Sequence, residues 1–185
     1  MTTTMMAALG FVVMGIIVAV TMINALIRRK NQVEFAFASI DAQLKKRYDL
    51  IPNLVATAEK YMGYEKGVLQ ELTQCRVRAA APHLGEEERV KLDNELGQSL
   101  RVFYAVAENY PGLRASEPFL HLQGSLNEAE EQLAASRRAF NAAVTDYNNG
   151  CQMFPLSICA RMLGYRPKPW FEIPVSEREP VRVWR

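Results

Sequence analysis

The sequence predicts an all-α protein, with an N-terminal transmembrane helix followed by an elongated antiparallel bundle of long helices. Three observations carry that expectation. Nothing before Arg28 has an ionisable side chain. Beyond it, apolar residues recur at alternating steps of three and four, the spacing that lines one stripe of a helix. No segment shows the sustained alternation, β-branched content and hairpin turns of a sheet.

The first element is the run of 23 uncharged, mostly apolar residues from Met5 to Ile27. At about 1.5 Å per residue it reaches about 34 Å, enough to cross a hydrocarbon core roughly 30 Å thick. A cleaved secretory signal is the competing reading, but it would place basic residues before the apolar stretch and a small-residue cleavage site after it. Here the order is reversed, with Met1-Thr2-Thr3-Thr4 in front and Arg28-Arg29-Lys30 behind. Lys and Arg beside a membrane helix stay on the cytoplasmic side. The expected topology is therefore single-pass, N-terminus outside, with residues 28–185 cytoplasmic.

The next helices follow from stripes and punctuation. One stripe runs through Val33, Phe37, Ile40, Leu44 and Tyr48, another through Leu92, Leu96, Leu100, Phe103, Val106 and Tyr110. The longest comprises Phe119, Leu122, Leu126, Ala129, Leu133, Ser136, Phe140, Val144, Tyr147, Cys151 and Phe154. Ala81-Pro82-His83-Leu84-Gly85 breaks the pattern, and Glu86-Glu87-Glu88 puts negative charge at the positive end of a new helix. Tyr110-Pro111-Gly112 stops that helix, and Ser116-Glu117-Pro118 reads as the cap and first turn of the next. Pro52 predicts a kink, or a restart capped by Asp49. The elements expected are 31–48, 50–80, 86–110 and 117–153, joined by short loops that favour antiparallel neighbours.

Lys and Arg number 22 and Asp and Glu 20, a net charge of +2 that lacks the concentrated positive field of a nucleic-acid binder. The charges are unevenly placed: residues 28–48 carry +4, residues 49–154 carry −5 and residues 155–185 carry +3. A solvated face accounts for the acidic body. The basic ends suit anionic lipid or a neighbouring subunit's acidic body. Cys75, Cys151 and Cys159 are too few and too scattered for a disulfide framework.

Several local strings are distinctive. They are Ser39-Ile40-Asp41-Ala42-Gln43-Leu44-Lys45-Lys46-Arg47-Tyr48-Asp49-Leu50-Ile51-Pro52-Asn53-Leu54-Val55, then Ala105-Val106-Ala107-Glu108-Asn109-Tyr110-Pro111. Phe140-Asn141-Ala142-Ala143-Val144, Asp146-Tyr147-Asn148, Phe154-Pro155 and Gly164-Tyr165-Arg166-Pro167-Lys168-Pro169-Trp170-Phe171-Glu172 follow. In content and order they resemble the LemA family of bacterial membrane-anchored proteins, over about residues 24–172. The resemblance implies one N-terminal membrane helix and a domain of long antiparallel helices. It implies no established enzymatic activity, a relative in magnetosome biogenesis, and gene neighbourhoods shared with membrane proteases. The family often has Trp where Phe37 stands and Tyr where Phe140 stands, and residues 173–185 lie outside the shared pattern.

Candidate chemistry is sparse. The two histidines are His83, in a loop, and His121, one helical step from Glu117 in an ordinary i,i+4 contact. No H-E-x-x-H, P-loop, G-x-G-x-x-G or metal-spaced Cys/His cluster occurs. Catalytic, metal and cofactor sites are expected to be absent. The most peculiar cluster is Arg47-Tyr48-Asp49 with Pro52 and Asn53. It reads structurally, with Asp49 as a cap, Arg47 paired to an acidic neighbour and Asn53 on freed backbone groups, or functionally, as a polar notch for a partner.

The chain divides into a short outside end (1–4), a transmembrane helix (5–27), a cytoplasmic helical bundle (28–154) and a Pro/aromatic arm with a basic tail (155–185). In the arm, Arg166, Lys168, Trp170 and Phe171 alternate with prolines that enforce extended backbone. Two readings stand for it: packing on another subunit or the membrane surface, and folding back on its own bundle. The function expected is a non-enzymatic scaffold anchored by the lipid bilayer, which self-associates as a homo-oligomer or docks other membrane proteins. The alternative is an accessory subunit of a membrane protease or envelope-stress system.

Overall fold

The computed structural model describes residues 2–82 and 86–171. His83 and the tail 173–185 lie outside the described residues. The fold is all α, in six helices: α1 Thr2–Glu59, α2 Lys66–Ala79, α3 Glu86–Ala107, α4 Pro111–Arg114, α5 Glu117–Gln152 and α6 Leu156–Met162. No strand occurs among the described residues.

Three boundaries depart from expectation. Helix α1 runs without interruption from the apolar span through Pro52, so neither a restart nor a cap at Asp49 occurs. The break comes instead at residues 60–65, where Ala58 O accepts from both Tyr61 N and Met62 N, and Glu65 N donates to Met62 O. Gly63, a poor helix former, lies inside that turn. The third departure is α6, in a segment for which no helix was expected. It closes with Gly164 at φ 73°, where Tyr165 N donates to Ala160 O and Gly164 N to Arg161 O. A left-handed residue there lets the chain reverse and satisfies the last carbonyls. At the start of α5, Ser116 O accepts from Leu120 N, but the Ser116 hydroxyl donates back to Leu113 O.

The chain forms two compact units. The first comprises Met1–Ser39 and Ala135–Arg185. Its core is Leu26, Val33, Ala36, Ala143, Val144, Tyr147, Cys151 and Ala160, with Phe140, Leu156 and Tyr165 packed against it. The early part of α1 and the late part of α5 run antiparallel here: Phe37 meets Phe140 with ring centroids 5.9 Å apart, and Arg29 Nη1 donates to Asp146 O at 3.0 Å. Gly150 allows close approach, since a Cβ there would lie 3.0 Å from Arg29 Nη1 and 3.4 Å from Leu26 Cδ1.

The second unit comprises Ile40–Ala134. Its fully buried side chains include Ile40, Ile51, Leu54, Met62, Leu72, Leu96, Phe103, Leu113 and Leu133. Burying each contributes on the order of 1.5–3 kcal/mol. Phe103, Tyr104 and Phe119 form an aromatic trio with centroids 5.4–6.4 Å apart. Ile40, Leu96, Phe103, Phe119 and Leu133 belong to the stripes read from sequence, because one apolar face per helix needs one partner face, while Ile51, Leu54, Met62, Leu72 and Leu113 lie outside them.

Candidate functional site

Two polar constellations stand out, one in each unit. In the second unit Arg47 is almost wholly buried on α1, and its Nη1 donates to Asp93 Oδ1 at 3.0 Å. Glu130 Oε1 lies 2.9 Å from Arg47 Nε, a charge contact whose angle falls short of a hydrogen bond. Tyr48 OH also donates to Asp93 Oδ1, at 3.4 Å. Burial, then the Asp93 charge, raises the Tyr48 pKa, so the phenol stays protonated and keeps donating. Burial likewise pushes Tyr104, beside Glu130 and Arg47, up to about 12. Gly97 lies beside the guanidinium, where a Cβ would make an ordinary contact with Arg47 Nη2 at 3.5 Å. Pairs Arg89–Asp41 and Lys46–Glu128 flank the network.

A second arginine answers the question that Pro52 poses. Proline has no N–H, so the carbonyl of Tyr48, four residues earlier, loses its helical donor. Arg76 of α2 supplies the replacement, with Nε 3.2 Å from Tyr48 O, and its Nη2 lies 3.8 Å from Asp49 Oδ1. Asp49 is thus an interior helical residue facing Arg76, and Asn53 takes no part: it is exposed, and its carbonyl accepts from Thr57. The expectation that Asn53 would serve the freed groups fails because Arg76 already occupies them. Sequence reading missed Arg76, whose only signal is a cation on a neighbouring helix.

In the first unit the arm runs back along α5. Asn148 brackets Lys168, donating Nδ2 to Lys168 O at 2.9 Å and accepting from Lys168 N at 2.8 Å. Asn141 brackets Phe171 in the same way at 3.0 and 2.8 Å. Trp170 Nε1 donates to Thr145 Oγ1 at 3.0 Å, and Arg137 stacks 5.0 Å above the Phe171 ring. Arg166 is exposed. Asn141 and Asn148 stand seven residues apart on one helix face and act as two rungs of a backbone clamp. Both lie in the motif strings, yet no partner for their amides could be read from sequence.

The span ends in Arg28-Arg29-Lys30, of which Arg28 is exposed, Arg29 reaches α5 and Lys30 pairs with Glu34 at 3.5 Å. Its most apolar window has a mean hydropathy of 2.6 and is entirely uncovered by the fold. Within it Thr21 turns its hydroxyl onto Val18 O at 2.8 Å, which satisfies a donor that hydrocarbon could not. Among the described residues no group of three His, Cys, Asp or Glu side chains is placed to hold a metal ion.

The model of the LemA family matches residues 36–184, most of the chain. The chain belongs to the LemA family. It is similar to Protein LemA of Metamycoplasma hominis, with 23% identity over 158 residues that cover 85% of this chain and 72% of the relative. It is also similar to Magnetosome protein MamQ 2 of Paramagnetospirillum magneticum and to Magnetosome protein MamQ of Magnetospirillum gryphiswaldense, at 30% and 28% identity. Those two matches cover 43% of this chain and 29% of each relative, so the chain spans under a third of the MamQ length. None of these names denotes an enzyme. The LemA match corrects one expectation: it starts at residue 36 and extends through residue 184, so the tail lies within the family pattern. The Arg47 and Asn clamp residues all fall inside the LemA match.

Proposed function

We propose that this LemA-family protein is a non-enzymatic, single-pass scaffold of the bacterial inner membrane, N-terminus outside, whose cytoplasmic helices self-associate or dock other membrane proteins. One observation carries the reading: the uncovered apolar span and the helix that builds the first unit's core are the same helix, α1. An apolar surface that the chain leaves uncovered calls for lipid, and Arg28-Arg29-Lys30 marks its cytoplasmic end. The two polar constellations support a structural purpose. Arg47 meets Asp93 and Glu130, and the clamp amides meet main chain, so their donors and acceptors serve the fold. Tethering confines copies to two dimensions, where weak lateral contacts add.

The test is extraction of the full chain from membranes in mild detergent, followed by particle sizing. Particles holding several copies of this chain support the scaffold. A single copy bound to a membrane protease overturns it. A reporter fused after Arg185 that behaves as periplasmic overturns the orientation.

A further inference from the structure

The apolar stripe of α5 ends at Phe154, yet that ring is 81% exposed rather than in the core. Around it Met153, Ile158, Met162 and Leu163 are also exposed, Met162 at 83%. Ile158 and Met162 stand four residues apart on one face of α6, and Phe154 lies in the turn just before that helix. Clustered apolar surface of this kind marks a contact site rather than scattered exposure.

The first unit's packing fixes where this corner lies along α1. Gly150 sits against Leu26 and Arg29, and α5 runs antiparallel to α1. Beyond Gly150, α5 continues to Gln152 toward the residues of α1 that precede Leu26, on the apolar side of Arg28, and Met153 and Phe154 follow directly after its end. Leu26 itself is fully buried, beneath a cluster that includes Ala160 of α6 and Leu156. Helix α6 therefore covers the last turn of the apolar run and exposes its own apolar face at that depth. From Tyr147 to Phe171 the chain has no Asp or Glu, while Arg161, Arg166 and Lys168 are cationic. Apolar side chains in a stretch whose only charges are cationic fit the boundary between acyl chains and anionic headgroups.

We propose that the α5–α6 corner is a second membrane contact, in which Phe154, Ile158 and Met162 dip into the interface of the leaflet that holds Arg28-Arg29-Lys30. The inference rests on the reading of α1 as a membrane span and adds a two-point attachment to it. The continuity of the patch with that span favours lipid over a second copy of the chain as its occupant.

Brominated-lipid quenching tests this with the full chain in vesicles of phosphatidylcholine and a minority of phosphatidylglycerol. In a Trp170→Phe, Trp184→Phe background, one tryptophan is placed at a time: Phe154→Trp or Met162→Trp at the corner, and Phe11→Trp in the span. The proposal expects corner emission to fall by about half with bromines on shallow acyl carbons, and less with deep ones. Corner residues unquenched and red-shifted, with Phe11→Trp quenched, overturn the second contact and leave the span standing. Corner emission that is blue-shifted but unquenched means a protein partner covers the patch, which also overturns the lipid assignment. A Phe11→Trp signal that no lipid quenches overturns the span and the second contact together. Using both corner positions guards against one substitution disturbing the turn.

Discussion

The two units both bury an apolar core between long helices, and they add opposite polar chemistry to it. The Ile40–Ala134 unit places a cation in its interior and surrounds it with Asp93, Glu130 and a protonated Tyr48. The unit of Met1–Ser39 and Ala135–Arg185 buries apolar side chains around Leu26 and fastens its arm by neutral amides. The difference teaches where each is vulnerable. A buried ion network fails all at once when one charge is removed, because the remaining partner is left desolvated. A clamp of neutral bonds fails rung by rung, at about 1 kcal/mol per bond.

The largest effect sharpens that contrast. Arg47→Met leaves Asp93 buried without its arginine and is expected to cost about 3–5 kcal/mol. Hydrogen exchange in detergent should show protection lost across residues 40–134 and kept across 135–171. Equal loss in both would mean the units are not energetically distinct. Next in size, Gly150→Leu drives a side chain into Arg29 and Leu26 and should cost about 1–3 kcal/mol, read as a lower midpoint of thermal unfolding. If the midpoint is unchanged, α5 and α1 have slack that the contact distances deny.

Arg76→Met orphans the Tyr48 carbonyl above Pro52 and should cost about 1–3 kcal/mol. Pro52→Ala restores the missing N–H, so the double variant should recover most of that loss in a denaturant titration; simple additivity would break the assignment. Asn148→Leu removes one rung and should cost about 1–2 kcal/mol, read as faster proteolysis after α6 with the bundle intact.

The last effect shows only at alkaline pH. Tyr104 titrates at about 12 in the fold against about 10 when unfolded, so the folded state holds the proton longer. Its contribution is complete below pH 10 and fades as pH rises from about 10 to 12. Tyr104→Phe should flatten that part of the pH–stability curve measured in urea.

Much of the fold was legible because apolar spacing is a local signal. The stripe from Phe119 to Cys151 names one face of α5, and the span names itself by its lack of charge. Pro52 misled because its cost is local while its remedy, Arg76, arrives from another helix. Gly63 and Gly164 carried the turns that periodicity overlooked. Arg47 could be recognised as unusual, but its partners Asp93 and Glu130 lie 46 and 83 positions away in sequence, a separation that only tertiary structure closes. The Asn141 and Asn148 amides were hidden for a different reason. Their partners are main-chain groups, which every residue has and no composition reveals.

That choice of partner sets what the arm can tolerate. The clamp grips N–H and C=O at residues 168 and 171, never their side chains. Prolines occupy 167 and 169, where the clamp asks for no donor. The Asn rungs therefore fix the strand through groups that every non-proline residue carries, and identity is read only beside them, where Arg137 meets the Phe171 ring and Thr145 meets the Trp170 indole.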